Sequence, residues 1–497
     1  MELKAIIIGS GVAGLAAATR LAIQGIKVSV YEKNGVAGGK LGSITNQGYQ
    51  FDTGPSLFTE PYLLQSLFDE AGERMEDYLT YEECDELCRY FFESGKKITA
   101  LADINHFANE MEEQLDESAE NIKQYLQNAE KLFNSVGDIF LNSSLHKRKT
   151  WFHRRVFKSL KQVKLQHLIN TLHEFNKVAL KSKEAVQLFD RYATYNGSSP
   201  YKTPGMLSMI PHIEYNEGVY YPHGGMIKII EALQCLAEKK GVQFYFNTPV
   251  DRIIYSNGSV KGVVVNHQNI MADIVISNAD IYFTYDHLLG RKAQAKKLLR
   301  QPRSSSAVVF YWGIKKTFPA LGLHNIFFSN DYKAEFNAIF NKFSVYQDPT
   351  VYINITSKKE EGHAPANSEN WFVMVNTPAH TGQHWEQIQQ EIKAAVLKKL
   401  HRLLGEDVAA YIEFEQVLNP VLIAEQTWAK DGALYGAASN NKFSAFLRAP
   451  NFFKKIQGLY CCGGTVHPGG GIPLCLRSAK ISVDILQQDL TKLNHRH

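Results

Sequence analysis

Leu3-Lys4-Ala5-Ile6-Ile7-Ile8-Gly9-Ser10-Gly11-Val12-Ala13-Gly14 opens the chain, and its reading decides the fold. The apolar run from Leu3 to Ile8 reads as a buried parallel strand stopped by glycine. A helix is predicted from about Val12 to Gln24, and a second strand, Lys27 to Tyr31, ends at Glu32 and Lys33. Glu32 stands 18 residues beyond Gly14. Strand, glycine turn, helix, strand and terminal carboxylate make the dinucleotide-binding βαβ pattern. Its glycines allow a tight turn and a close pyrophosphate, and its acidic residue accepts from a ribose hydroxyl. A ligand-free strand-to-helix turn is the plainer alternative. Five matching parts in the right order favour the dinucleotide, held by Gly9, Gly11, Val12, Ala13, Gly14, Glu32 and Lys33.

A second glycine-rich turn lies near the other end. Gly458-Leu459-Tyr460-Cys461-Cys462-Gly463-Gly464 reads as a short strand and turn. Thr465-Val466-His467-Pro468-Gly469-Gly470-Gly471-Ile472-Pro473 then leads into a helix running toward Leu486. A helix opening offers unpaired N–H groups and partial positive charge, and consecutive glycines let a flat ring lie against bare backbone.

Between these ends, further segments carry a family resemblance. Gly35-Val36-Ala37-Gly38-Gly39-Lys40 and Phe51-Asp52-Thr53-Gly54-Pro55-Ser56 resemble the extension of FAD oxidoreductases of the amine-oxidase and phytoene-desaturase superfamily. Lys40 stands where arginine is commoner, and it lacks the bidentate fork. Pro222-His223-Gly224-Gly225, Val250, Ile274 to Asp280 with Asn278, and Gly432 to Gly436 with Leu434 match other parts of that pattern. The Gly463–Pro473 segment is similar to the signature of bacterial-type phytoene and carotenoid desaturases. The resemblance implies FAD, bound also through Gly39, Lys40, Pro55, Ser56, Val250, Asn278, Leu434, Gly463, Gly464, Gly471, Ile472 and Pro473. Phe189 to Tyr195 is most similar to the members that introduce a 3,4 double bond into hydroxylated carotenoids and to the staphylococcal-type desaturases.

The implied reaction passes hydride from a carbon beside a polyene to flavin N5, followed by loss of an acidified proton. No strong base is required, and the sequence offers no triad, carboxylate dyad or metal cluster. Arg191 and Tyr195 are expected to order the substrate end or a water; a buried arginine satisfied by backbone carbonyls is the bland alternative. His467 is the candidate proton acceptor, or else a satisfied turn residue. Met206, Met209 and Ile210 read as core rather than tunnel lining. Carotenoid isomerases and ketolases use the same parts, and lipid-chain escort proteins of the GDP-dissociation-inhibitor type share the fold without redox chemistry.

At 497 residues the chain is long for one core. The implied α/β architecture is a Rossmann-like FAD domain (1–100, 220–282 and 418–497) interwoven with a mixed-sheet and helical substrate domain (101–219 and 283–417). A balance of 54 basic to 50 acidic residues gives no global field for nucleic acid. No apolar run reaches 18 residues, so no spanning helix is expected. Six cysteines without metal or disulfide spacing suggest a cytoplasmic protein. From Lys147 to Leu165, Trp151, Phe152, Val156 and Phe157 interleave with Arg154, Arg155, Lys158 and Lys161 and no acid. Such a stretch fits peripheral binding at the inner membrane face, or a solvated helix. Quinone or oxygen is the expected final electron acceptor.

Overall fold

The computed structural model describes residues 2–151, 163–441 and 448–494. The opening turn folds as read, with strand Lys4–Ile8, helix Val12–Ile23 and strand Lys27–Tyr31. Ala13, Ala16, Ala17 and Ala18 of this helix are buried, because small side chains let it lie close on the sheet. Gly14 is the tightest point: a Cβ there would stand 2.2 Å from the Gly9 carbonyl oxygen.

Five parallel strands form the first sheet, in the order Leu459–Cys461, Ile274–Ser277, Lys4–Ile8, Lys27–Tyr31 and Gln243–Tyr245. Ile274–Ser277 is interior to this sheet, and the later strand Leu459–Cys461 takes the edge. All carboxyl ends in a parallel sheet point one way, so the loops after Ile8, Tyr31, Ser277 and Cys461 converge on one crevice. The C-terminal helix runs from Ile472 to Asn494, past the expected Leu486, and packs on Val12–Ile23. Cys461 and Cys462 are buried thiols, as small hydrophobes would be.

A second sheet has seven strands, ordered Ile412–Leu418, Ser306–Ile314, Glu369–Thr377, Val351–Ile355, His324–Phe327, Glu86–Phe91 and Lys97–Leu101. The last two lie at the end of the span 1–100 assigned to the FAD domain. They pair here instead, Glu86–Phe91 running parallel to His324–Phe327. Ser306–Ile314 is buried at every position because both its faces are covered. Val308, Phe310 and Trp312 pack toward the helix Trp385–Leu404. Ala307, Val309 and Tyr311, on the alternate positions, face a cavity. Of the helices in the segment expected to be helical, Ala119–Asn142 lines that cavity through Phe133, Phe140 and Leu141, while Ile104–Leu115 packs against that helix and against Lys183–Asp190. Ile122, Leu126 and Ala129 of Ala119–Asn142 are buried at the expected spacing.

Candidate active site

One cavity of about 1260 Å³ runs from the convergent loops of the first sheet to the exposed face of the second. It exceeds the usual volume of a single small-molecule site. At its dinucleotide end, Gly9 adopts φ +93°, a conformation that favours glycine, and Val12 and Ala13 open the helix toward the space. Glu32 is buried and held still. One carboxylate oxygen accepts from the Ser10 N–H at 2.8 Å and the Ser10 hydroxyl at 2.9 Å; the other accepts from the Asn34 N–H at 2.9 Å. Ser10 therefore orients the carboxylate. It sits inside the glycine motif, where a reading centred on glycines passes over it.

Lys33 donates to the Glu425 carbonyl at 2.7 Å, and its ammonium lies 4.8 Å from the Trp428 ring centre. Lys40 donates to the Leu434 carbonyl, and burial pushes its pKa down while Asp280 opposes the shift. Asn278 donates to the Cys462 carbonyl at 3.1 Å, tying the end of the strand Ile274–Ser277 to the C-terminal turn. Asp52 accepts from the Met226 N–H at 2.9 Å, and a Cβ on Gly225 would press to 2.8 Å from its other oxygen, which explains that glycine. Gly39, Pro55, Ser56, Val250, Gly463 and Gly464 all line the cavity. Gly14 does not; its role is helix-to-strand packing.

At the C-terminal turn, Gly471 has φ +104° and empty space where a Cβ would stand, while Ile472 and Pro473 open a helix beside it. Gly470 is different, since its Cβ would lie 2.5 Å from the Tyr435 ring. His467 is buried, and its Nε2 lies 3.0 Å from the Ser143 carbonyl oxygen, the geometry of an Nε2–H donor. Burial pushes its pKa down to about 4, so the ring is neutral at pH 7 with Nδ1 as acceptor.

Arg191 and Tyr195 line the same cavity. Arg191 is not satisfied by backbone carbonyls: Nη2 meets Glu214 at 2.5 Å and Nε donates to the Tyr90 hydroxyl at 2.9 Å. Glu214 escaped the sequence reading, although a lone carboxylate in the apolar run Leu207–Tyr215 was the available signal. Met206, Met209 and Ile210 are buried in hydrophobic clusters, as read, and Met209 and Ile210 also border the cavity. Among the described residues no group of His, Cys, Asp or Glu is arranged to hold a metal, and no helix is long and apolar enough to cross a membrane.

The site fits a flavin dinucleotide. Two helix openings face the crevice, a fixed carboxylate closes one end, and bare glycine backbone with room before it closes the other. The family model for flavin containing amine oxidoreductases matches residues 12–486. The 1-hydroxycarotenoid 3,4-desaturase of Flavobacterium sp. (strain P99-3) is 51% identical over 483 residues, 97% of this chain and 99% of that protein. The 4,4'-diaponeurosporene oxygenase of Staphylococcus haemolyticus is 29% identical, covering 97% of this chain and 96% of its own. An oxidoreductase structure from Methanosarcina mazei shares the fold with a TM-score of 0.65 at 17% identity, covering 97% of this chain and all of its own. The chain belongs to the flavin containing amine oxidoreductase family and, within it, to the carotenoid desaturases.

Proposed function

We propose that this protein introduces a 3,4 double bond into a hydroxylated carotenoid, with FAD as the immediate acceptor. Bound FAD supplies a two-electron hydride acceptor. The carrying observation is the continuity of one cavity between the dinucleotide loops and the sheet wall of Ala307, Val309, Tyr311, Phe372 and Met374. Opposite that wall, Phe133, Phe140 and Leu141 complete an apolar passage suited to a hydrocarbon chain. A charged amine would call for a polar or aromatic cage rather than a long apolar tunnel. The protein's task is to position the chain, exclude water and accept a proton. His467, neutral at pH 7, is the proposed acceptor. Because the proton leaves a delocalised cation, His467→Ala slows turnover only moderately.

The test is incubation of the holoenzyme with a hydroxylated carotene. The product loses two hydrogens and its absorption moves to the red. An unchanged mass would identify an isomerase, an added oxygen a ketolase, and a colourless protein that cannot take up FAD an escort protein. Comparing aerobic turnover with anaerobic turnover plus quinone distinguishes the two proposed re-oxidants.

We further propose peripheral attachment to an anionic membrane surface. Residues 152–162 of the basic aromatic stretch lie outside the described residues. Their described flanks expose apolar side chains: Trp151 is 40% exposed, Leu165 69% and Ile169 52%. Replacing Arg154, Arg155, Lys158 and Lys161 with glutamate is expected to weaken binding to phosphatidylserine vesicles about tenfold or more, and added salt should weaken wild-type binding. Wild-type protein that ignores such vesicles at low salt would make the stretch an ordinary solvated helix.

A further inference from the structure

The turn Arg191–Asn196 carries a charge cluster whose parts are nearly all accounted for. Of the Arg191 donors, Nε goes to Tyr90, and Nη2 goes to Glu214 and, at 3.2 Å, to the Tyr192 hydroxyl. Tyr192 donates to Glu214 at 2.6 Å, and Tyr195 donates to its other oxygen. Nη1 makes no hydrogen bond with any described residue, although the Arg191 side chain is only 8% exposed and lines the cavity. Glu214 already cancels the guanidinium charge, so this spot favours a neutral polar group over an anion. An alcohol is both donor and acceptor. Nη1 can give it a hydrogen bond, and the Tyr195 oxygen can accept one from it.

The turn that carries this cluster reaches the C-terminal glycine turn through one ring, and the cluster and the glycine turn line one cavity. A Cβ on Gly197 would lie 2.7 Å from the Tyr435 ring, and that same ring abuts Gly470 of the glycine turn. On the other side, the Ser56 hydroxyl lies 2.6 Å from that of Tyr352, which is 2.8 Å from His324 Nδ1. Burial and then the Arg191 charge push the His324 pKa down to about 3, so this neighbour is neutral as well.

We propose that Arg191, positioned by Glu214, forms with Tyr195 the anchor for the substrate hydroxyl, and that the short reach from anchor to flavin turn selects the bond that is oxidised. The inference rests on the desaturase reading above. The name of the Flavobacterium relative puts the hydroxyl on C1 and the new double bond at C3–C4, two carbons away. An anchor for such a substrate has to stand near the reacting carbon, and this cluster opens on the same cavity as the glycine turn. A carotene lacking the hydroxyl would leave Nη1 dry and unpaired.

The experiment measures anaerobic flavin bleaching and kcat/KM for a 1-hydroxylated carotene and its unhydroxylated counterpart, and locates the new double bond. Wild-type holoenzyme is expected to prefer the alcohol by about 100-fold. Arg191→Leu alone would strand the Glu214 charge, so it is paired with Glu214→Leu. In the pair the preference falls about 10- to 100-fold and the new double bond is no longer confined to one position. Tyr195→Phe lowers the preference less and keeps the ion pair, and it decides the matter should the paired variant not hold flavin. Equal turnover of both carotenes by the wild type, or an unchanged preference in Tyr195→Phe and in a flavin-loaded paired variant, overturns the anchor. Bleaching by neither carotene overturns the desaturase reading, and the anchor with it.

Discussion

Gly471→Leu empties the protein of flavin and lowers turnover at least about a hundred- to a thousandfold. Two independent costs act at this position. At φ +104° an L side chain is strained by about 1–3 kcal/mol. The side chain would also project into the open space of the cavity that Gly471 lines, with no protein atom within 4 Å of its Cβ. Leucine therefore fills space that the flavin ring would occupy, while the surrounding packing is left intact. The measurements are the ratio of flavin to protein absorbance, turnover, and thermal unfolding of apo-protein. Flavin content and turnover at wild-type levels would show that the turn does not face the cofactor. A lowered apo-protein melting point by itself would point to strain alone.

Arg477→Met is expected to destabilise the fold by about 3–5 kcal/mol, the usual cost of stranding one member of a buried pair. Arg477 sits on the C-terminal helix and is bonded to Glu60, to Asn142 and, at 2.9 Å, to the Tyr62 hydroxyl. Both Arg477 and Glu60 are buried. This one side chain thus ties the helix that opens at the flavin turn to the loop after Ser56 and to the helical cover. Adding Glu60→Leu to Arg477→Met should recover most of the loss, since a hydrophobic pair replaces an orphaned charge. Denaturant unfolding of the two variants checks this. A single variant as stable as wild type would mean that losing Arg477 does not strand Glu60.

Much of this site was legible because its chemistry is written in backbone. Glycines at Gly9, Gly38 and Gly471 announce positive φ, and the apolar runs announce buried strands. Side-chain partnerships across the fold were not legible. Glu214 lies 23 positions from Arg191, and Ser10 lies 22 from Glu32, with no local periodicity to join them. Gly11 shows the same limit. Its motif suggests that valine would block the pyrophosphate, yet its Cβ would point to the Asn278 amide oxygen at 2.8 Å. The first clash is therefore with protein. Tyr311 and Phe310 are adjacent in sequence, and only the helix over one face of their strand decides which of them meets the cavity.

The cofactor crevice is walled by Lys4–Ile8 on one side and, two strands over, by Leu459–Cys461 with its following helix. During translation these pieces emerge at opposite times. A nascent chain exposes its first glycine turn early but has no partner wall until nearly all of the described residues have been made. Until then the interior strand Ile274–Ser277 is an open edge, with Val275 and Ile276 waiting for Leu459 and Tyr460. Flavin capture is thus expected to be a late event, and a chain cut short before Leu459, which cannot seal that edge, is expected to lose its cofactor. On this reading, yellow colour in a preparation reports that the walls formed by Lys4–Ile8 and Leu459–Cys461 have met.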